Sequence, residues 1–337
     1  MMKVAVLFDA MSALAPLPDT LILEGVEAVE NALEQAGHVP VRIPVNPDGR
    51  WVERIRRGKF DFVFNLCESI DGVAKMEPLV IAVLELFEIP FTGSSSATTA
   101  ICLRKHLVNT VLDRAGLPVP RWTLVQRGEE PESVGFPAIC KPAAEDASIG
   151  IEQKSVVRSR RALVARVAAM HERWNEVVVQ RFVAGREVNV GIVGDQTLPI
   201  SEIRFDGMPD NLWKIVSYRS KWEPGTDEDL GAAPQCPANL PRKLTAELEE
   251  ITRAAWKAVG GEGYGRADFR IDEAGRPWLL EVNPNPDLSV DAGLARMARV
   301  AGMDYAALVN RICEYGLNRE LKLPADQWAR SLALSGA

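Results

Sequence analysis

Histidine is scarce in this chain: only 3 occur in 337 residues, His38, His106 and His171. None stands at metal-ligand spacing from another, so a histidine-based metal centre is not expected. The five cysteines (Cys67, Cys102, Cys140, Cys236 and Cys313) are odd in number, scattered and without a CxxC pair. That excludes a disulfide framework and a zinc ribbon, and reads as reduced thiols of a cytoplasmic protein. No apolar run reaches the roughly 20 residues that cross a bilayer. The first strand candidate begins at Lys3, so a leader peptide is not expected. Lys and Arg form no block and the net charge is −7. Nucleic acid is therefore not an expected partner, although a small cationic pocket for an anion remains open. The glycine-rich dinucleotide fingerprint is missing too: FDAMSALAP follows the first strand, so no dinucleotide site is expected there.

What is present is enough apolar sequence, 47% of the chain, for two or three cores. Residues 3–95 alternate short apolar runs (KVAVLF, VPVRIPV, FDFVFNL) with helical spacing, as in TLILEGVEAVENALEQAG, which stops at Gly37. This is the βαβ rhythm of a parallel sheet covered by helices. Residues 97–118 read as one helix ended by AGLPVP. RWTLV, FPAICKP, IEQKSVV, a helix near 159–174 and EVVVQRFV then suggest an α+β unit. From GREVNVGIVGD onward the strands are hairpin-like, and a polar Gly/Pro-bearing stretch over 206–239 is too long for a simple connection, so it reads as a functional loop or lid. A helix near 241–259, a hairpin, and helices near 292–301 and 304–317 complete the pattern. The expected division is 1–96, 97–184 and 185–318, with a peripheral tail at 319–337.

The hairpin GYGRADFRIDEAGRPWLLEVNPNPDLS runs from Gly263 to Ser289. A turn centred on Ala274–Gly275 pairs Ile271 with Trp278, Phe269 with Leu280 and Ala267 with Val282 on one apolar face. The other face sets Asp268 against Glu281 and Arg266 against Asn283, with Leu279 and Pro277 as exceptions. Opposed carboxylates repel unless a cation lies between them or burial raises one pKa. Hard oxygen donors of Asp, Glu and Asn suit Mg²⁺. The hairpin alone also admits a solvated face bridged by Arg266 and Arg270. EVNPNP, whose prolines stop the strand and present Asn283 and Asn285 at its mouth, favours the metal.

With these residues in view, the sequence resembles the ATP-grasp ligases, and within them the D-alanine–D-alanine ligase group. RKHLVNTVLDRAGLPVP, FPAICKPAAEDASIGI, VVVQRFVAGREVNVGIVGDQTLPISEI and the hairpin are similar to that family's ATP- and metal-binding segments, in family order, and PFTGSSSATTAICLRK also fits. The resemblance covers roughly residues 60–317. It implies an ATP-grasp fold of α/β and α+β character in three domains: a Rossmann-like N-terminal parallel sheet, and a nucleotide site between a central and a C-terminal sheet. It assigns Lys105 and Lys141 to the ATP phosphates and AAEDASIG to a phosphate-covering loop with Ser148 as a donor. Gln180, Phe182 and Val183 would meet adenine, the last two through backbone bonds, and Glu187 the ribose. Asp268, Glu281 and Asn283 would hold Mg²⁺, two ions being expected and Mn²⁺ an alternative. Arg266 would stabilise the oxyanion, with Ser148 and Lys221 in catalytic support, and Tyr218 and Lys221 would face substrate and phosphate from the lid. The implied reaction activates a carboxylate as an acyl phosphate, which an amine then attacks, releasing phosphate and leaving an amide.

The departures fall at the substrate end. FDAMSALAPLPD lacks the family's Gly/Ser/Glu segment, NLCESIDGVAKME replaces its His-Gly…Gly-Glu-Asp-Gly segment, Asp287 replaces a Gly, and Ala292–Gly293 replaces a Ser-Leu pair. Glu68 and Asp71 are substitute contacts to consider, and Asp287 and Ser289 are candidate acceptor contacts. The expectation is an ATP-dependent carboxylate–amine ligase acting on amino acids or a peptide, its substrate pair not two D-alanines. The alternatives are a true D-alanine–D-alanine ligase of cell-wall synthesis and a catalytically inactive ATP-binding accessory protein. A cytoplasmic homodimer, without membrane or nucleic-acid partners, completes the expectation.

Overall fold

A computed structural model describes residues 1–10 and 20–319. Residues 11–19, most of the FDAMSALAPLPD segment, and the tail from 320 onward lie outside the described residues. Three sheets carry the chain. The first is parallel, with β1 (Lys3–Asp9) between β2 (Val39–Val45) and β3 (Phe62–Asn65). Helices α1 (Thr20–Gln35), α2 (Arg50–Arg57) and α3 (Glu77–Leu86) accompany it. Within α1, Val26, Val29, Ala32 and Leu33 are buried at helical spacing. The helix stops where Gly37 takes a φ of 78° and the His38 N–H returns to the Leu33 carbonyl at 2.9 Å.

The single helix expected over 97–118 is two: α4 (Ser96–Leu103) and α5 (Lys105–Arg114), broken at Arg104, whose φ of −95° and ψ of 98° are extended. The break has a partner. The Lys105 N–H leaves helical bonding and donates to the Ala143 carbonyl at 2.8 Å, which places this lysine beside the loop after the second sheet's inner strand.

The second sheet is antiparallel, in the order β4 (Trp122–Gln126), β7 (Glu176–Arg181), β5 (Ala138–Pro142), β6 (Val156–Val157), with α6 (Arg160–Met170) packed behind it. The third runs β11 (Ala233–Gln235), β10 (Ser201–Arg204), β8 (Arg186–Val193), β12 (Tyr264–Ile271), β13 (Pro277–Asn283), and β9 (Gln196–Thr197) pairs with β8. One face of this sheet is core. Val188, Val190, Phe269 and Leu279 pack there on Leu112 of α5 and on Leu248 and Trp256 of α9 (Arg242–Ala258). Helices α10 (Gly293–Val300) and α11 (Tyr305–Leu317) return to the first sheet, where Leu294, Leu308 and Ile312 join Val4, Val26 and Leu33 in one cluster. The other face of the third sheet meets the second across a cleft, and α7 (Tyr218–Trp222) and α8 (Asp227–Leu230) cover it.

The hairpin register holds for its inner half and fails for its outer half. Arg266 opposes Asn283, Ala267 opposes Val282 and Asp268 opposes Glu281, as expected from the turn. Beyond Asp268 the pairing slips by one: Phe269 opposes Leu279, Arg270 opposes Trp278 and Ile271 opposes Pro277. A bulge at Leu280 accounts for the two exceptions in the alternation. It returns Leu279 to the core at 0% exposure and turns Leu280 toward the cleft.

Candidate active site

The cleft encloses a cavity of about 560 Å³. Alternation on β12 aims Arg266, Asp268 and Arg270 into it, while Ala267, Phe269 and Ile271 face the core. Arg266 grips Asp268 with two parallel bonds, Nε to Oδ1 at 2.7 Å and Nη2 to Oδ2 at 2.8 Å. Asn189 of β8, directly across from Asp268, adds Nδ2 to Oδ1 at 2.6 Å. Burial alone would raise the Asp268 pKa, but the Arg266 charge and these bonds outweigh it and hold the carboxyl below its usual range. Glu281 moves the other way: burial raises its pKa, and the Asp268 charge adds to this against the opposing Lys105. Two enclosed carboxylates driven apart in this way make a place for a cation.

Lys141 ends β5 and lines the same cavity, its Nζ donating to Gln180 Oε1 at 3.0 Å. Its partner is a neutral amide, and desolvation pushes the ammonium pKa down to about 8. Lys105 approaches from α5, its Nζ bonded to the Glu145 carbonyl. Between them runs the loop 143–151, in which Ala147 and Ser148 take φ values of 53° and 62°. The loop closes on itself around Asp146, whose Oδ1 accepts the Ala147 N–H at 2.7 Å and whose carbonyl accepts the Ile149 N–H at 3.0 Å, so the positive charge facing the cavity here comes from the two lysines.

The lid over 206–239 is latched onto that loop. Ser148 Oγ donates to the Val216 carbonyl at 3.0 Å, Trp222 Nε1 to the Ala147 carbonyl at 2.8 Å and the Tyr218 N–H to the Ile151 carbonyl at 2.9 Å. Deeper in, Ile139, Val156, Phe182 and Ile215 form an apolar cluster, and Ile151 and Trp213 pack against it. That cluster offers flat walls for an aromatic base. Glu187 lines the cavity with one carboxylate oxygen held by Arg270 Nη2 at 2.6 Å. Arg270 is 3% exposed and stacks near Phe182 and Phe205.

The structure brings Lys105, Lys141, Ser148, Gln180, Phe182, Val183, Glu187, Lys221, Arg266, Asp268, Glu281, Asn283 and Asp287 to one cavity. Four expected contacts differ. Tyr218 is 40% exposed and is not part of the lining, because its backbone rather than its ring makes the latch. Ser289 also lies off the lining; its N–H and Oγ both donate to Asp287 Oδ1, at 2.8 and 2.6 Å. The Ser148 hydroxyl is committed to the lid. The Phe182 N–H is committed to the Pro137 carbonyl at 3.0 Å, so this residue offers a base its carbonyl and its ring. Asn189 is not singled out by the sequence, and Asn285, placed at the strand mouth, turns out to bridge elements rather than to line the cavity. Asn189 sits in an ordinary alternating strand, and the only signal for Asn285 was its place in EVNPNP. Asn285 receives the Tyr264 hydroxyl at 2.8 Å and donates to the Cys67 carbonyl at 3.1 Å and to Glu77 at 3.0 Å.

Two paired sheets closing on a cleft with two lysines, the loop 143–151 and a carboxylate pair define an ATP-grasp enzyme, a carboxylate–amine ligase. The chain belongs to the D-alanine–D-alanine ligase family: the family model for the D-ala D-ala ligase C-terminus matches residues 111–314. The D-alanine–D-alanine ligase of Geobacter sulfurreducens is 31% identical over 96% of this chain and 96% of its own length. That of Gluconobacter oxydans is 30% identical over 94% of this chain and 100% of its own. A crystal structure of the Bacillus anthracis D-alanine–D-alanine ligase complexed with ATP superposes with a TM-score of 0.76 at 21% identity, covering 94% of this chain and 98% of that one. Among the described residues no helix is long and apolar enough to cross a membrane.

Proposed function

We propose that this ligase joins D-alanine to D-alanine with ATP, giving the dipeptide, ADP and phosphate. The sequence departures pointed to another substrate pair, and the comparisons do not support that expectation. The observation that carries the reading is the full-length likeness to D-alanine–D-alanine ligases. It is supported by one cavity lined by Lys105, Lys141, Arg266, Asp268, Glu281 and Asn283. In this reading the loop 143–151, Lys105 and Lys141 hold the nucleotide phosphates, and the apolar cluster around Phe182 and Ile215 holds the base. Asp268, Glu281 and Asn283 fit Mg²⁺, being two carboxylates and an amide with hard oxygens on paired strands. A bound magnesium ion would supply charge neutralisation at the phosphates.

The chain's own groups do the rest. Arg266, its guanidinium plane fixed by Asp268, stabilises the oxyanion that forms when the amine attacks the acyl carbon. The latched lid keeps water from the acyl phosphate. Incubation with ATP, Mg²⁺ and D-alanine tests the reading, with D-alanyl-D-alanine identified by mass spectrometry and phosphate release measured alongside. Ligation of a different amino acid, with none of this dipeptide formed, would sink it. A homodimer belongs to the same proposal, and light scattering after size exclusion decides it.

A further inference from the structure

The end of the cavity lined by Asp287, Asp291, Ala292 and Arg296 carries a third carboxylate side chain that comes from a different part of the chain. Glu68 belongs to the loop after β3, yet it lines the cavity together with Lys221, Arg266 and Asp287. Two anchors hold that loop. Asp9, buried at the end of β1, accepts the Ser69 hydroxyl and the N–H groups of Asp71 and Gly72, the latter two at 3.1 and 3.0 Å. On the near side, the carbonyl of Cys67 accepts from Asn285 Nδ2 at 3.1 Å. Asn285 lies two residues past Asn283 and two before Asp287. This bridge fixes Glu68 beside Asp287, and Ser289 pins Asp287 from behind through Oδ1.

Placing two carboxylates together has a cost. Glu68 is open to the cleft but ringed by protein, and desolvation, then the Asp287 charge, pushes its pKa up to about 7. A group in that state gains from an incoming cation. Across the same end, Arg296 and the N-terminus of α10 at Ala292–Gly293 present positive charge. A zwitterionic amino acid matches this pattern, with its carboxylate toward Arg296 and its ammonium toward the acidic pair.

We propose that Glu68, with Asp287 beside it, binds the ammonium group of the acceptor amino acid and positions its nitrogen, which attacks as the neutral amine once a proton has passed to water, a specificity contact supplied by NLCES rather than by the first βα loop. The inference rests on the ligase reading but not on which amino acid is used. The experiment compares wild type, Glu68→Gln and Asp287→Asn with D-alanine, or, if D-alanine is not ligated, with whichever amino acid stimulates ADP formation. The KM of ATP is measured in parallel. Acceptance of D-lactate, which has a hydroxyl in place of the ammonium, is scored against D-alanine. The expected result is a tenfold or greater rise in amino-acid KM in Glu68→Gln, an ATP KM within twofold of wild type, and a tenfold or greater fall in discrimination against the hydroxy acid. An unchanged amino-acid KM would overturn the proposal. So would an equal rise for the amino acid, the hydroxy acid and ATP, which is the signature of a merely structural loop residue. Failure of D-alanine in wild type strikes only the proposed substrate pair, because the Glu68 comparison proceeds on the amino acid that works.

Discussion

With Lys141 at the nucleotide phosphates, as proposed, binding becomes a proton-uptake reaction. Enclosure beside a neutral amide pushes its pKa down to about 8, against an ordinary lysine near 10.4. Phosphates that settle against it favour the charged form and return it toward the ordinary value. At about pH 8.5 the free site is roughly one quarter protonated, so binding takes up about 0.7 proton; at about pH 7 it takes up about 0.1. The last phosphate proton of free ATP is already lost by then, its pKa being about 6, so the nucleotide adds nothing at the higher pH. Calorimetric titration at each pH, in two buffers of different ionisation enthalpy, reads the uptake directly. The unliganded protein behaves in step. Its folded state binds fewer protons than the unfolded chain between about pH 8 and 10.4, so this site adds stability as pH rises through that window and nothing below it. Lys141→Met removes both effects. An uptake no larger at the higher pH, or one that survives in Lys141→Met, would refute the assignment of this lysine to the phosphates.

Two further outcomes follow from the same coordinates. Trp222→Phe deletes the Nε1 bond to the Ala147 carbonyl, worth about 1 kcal/mol, and loosens the lid. Phosphate release per dipeptide formed should rise severalfold while the melting temperature barely moves, and a ratio that stays fixed would show that the latch does not exclude water. Leu279→Ala and Leu280→Ala form a matched pair across the bulge. The first empties a fully buried site and should cost about 2–5 kcal/mol in denaturant unfolding. The second removes a cavity-lining side chain and should cost markedly less while altering the ATP KM. Equal costs would mean that the outer register is misassigned.

Strand alternation made the inner hairpin readable: the strict period of two sorts Ala267 from Asp268 and Val282 from Glu281 without any knowledge of what packs behind them. It failed at Leu280 because a bulge leaves no mark on period until the pattern breaks, and here the break was visible only as Leu279 and Pro277 standing on the wrong face. The helix over 97–118 misled for a related reason. Its apolar spacing runs through Arg104 unbroken, and the interruption is imposed by a distant acceptor, the Ala143 carbonyl, that local sequence cannot announce. Glu187 serves in two ways at once: it holds an ion pair with Arg270 and still lines the cavity.

The substrate end was the least legible part, and the reason is topological. The residues proposed for ATP come from runs in which neighbours fall together: the lysine and loop after β5, and the paired strands of the hairpin. The proposed acceptor end draws on Glu68, Asp287 and Arg296, which share no local pattern and meet where Asn285 ties the loop after β3 to the end of β13. Replacement of the family's Ser-Leu pair by Ala292–Gly293 removes a hydroxyl, but a carboxylate is bound at a helix N-terminus through backbone N–H groups, which any residue supplies. The departure that suggested a different substrate is therefore compatible with the same one. A residue change at a backbone-built subsite is weak grounds for a change of ligand, whereas two carboxylate side chains delivered to one point by separate elements are strong grounds for a cationic one.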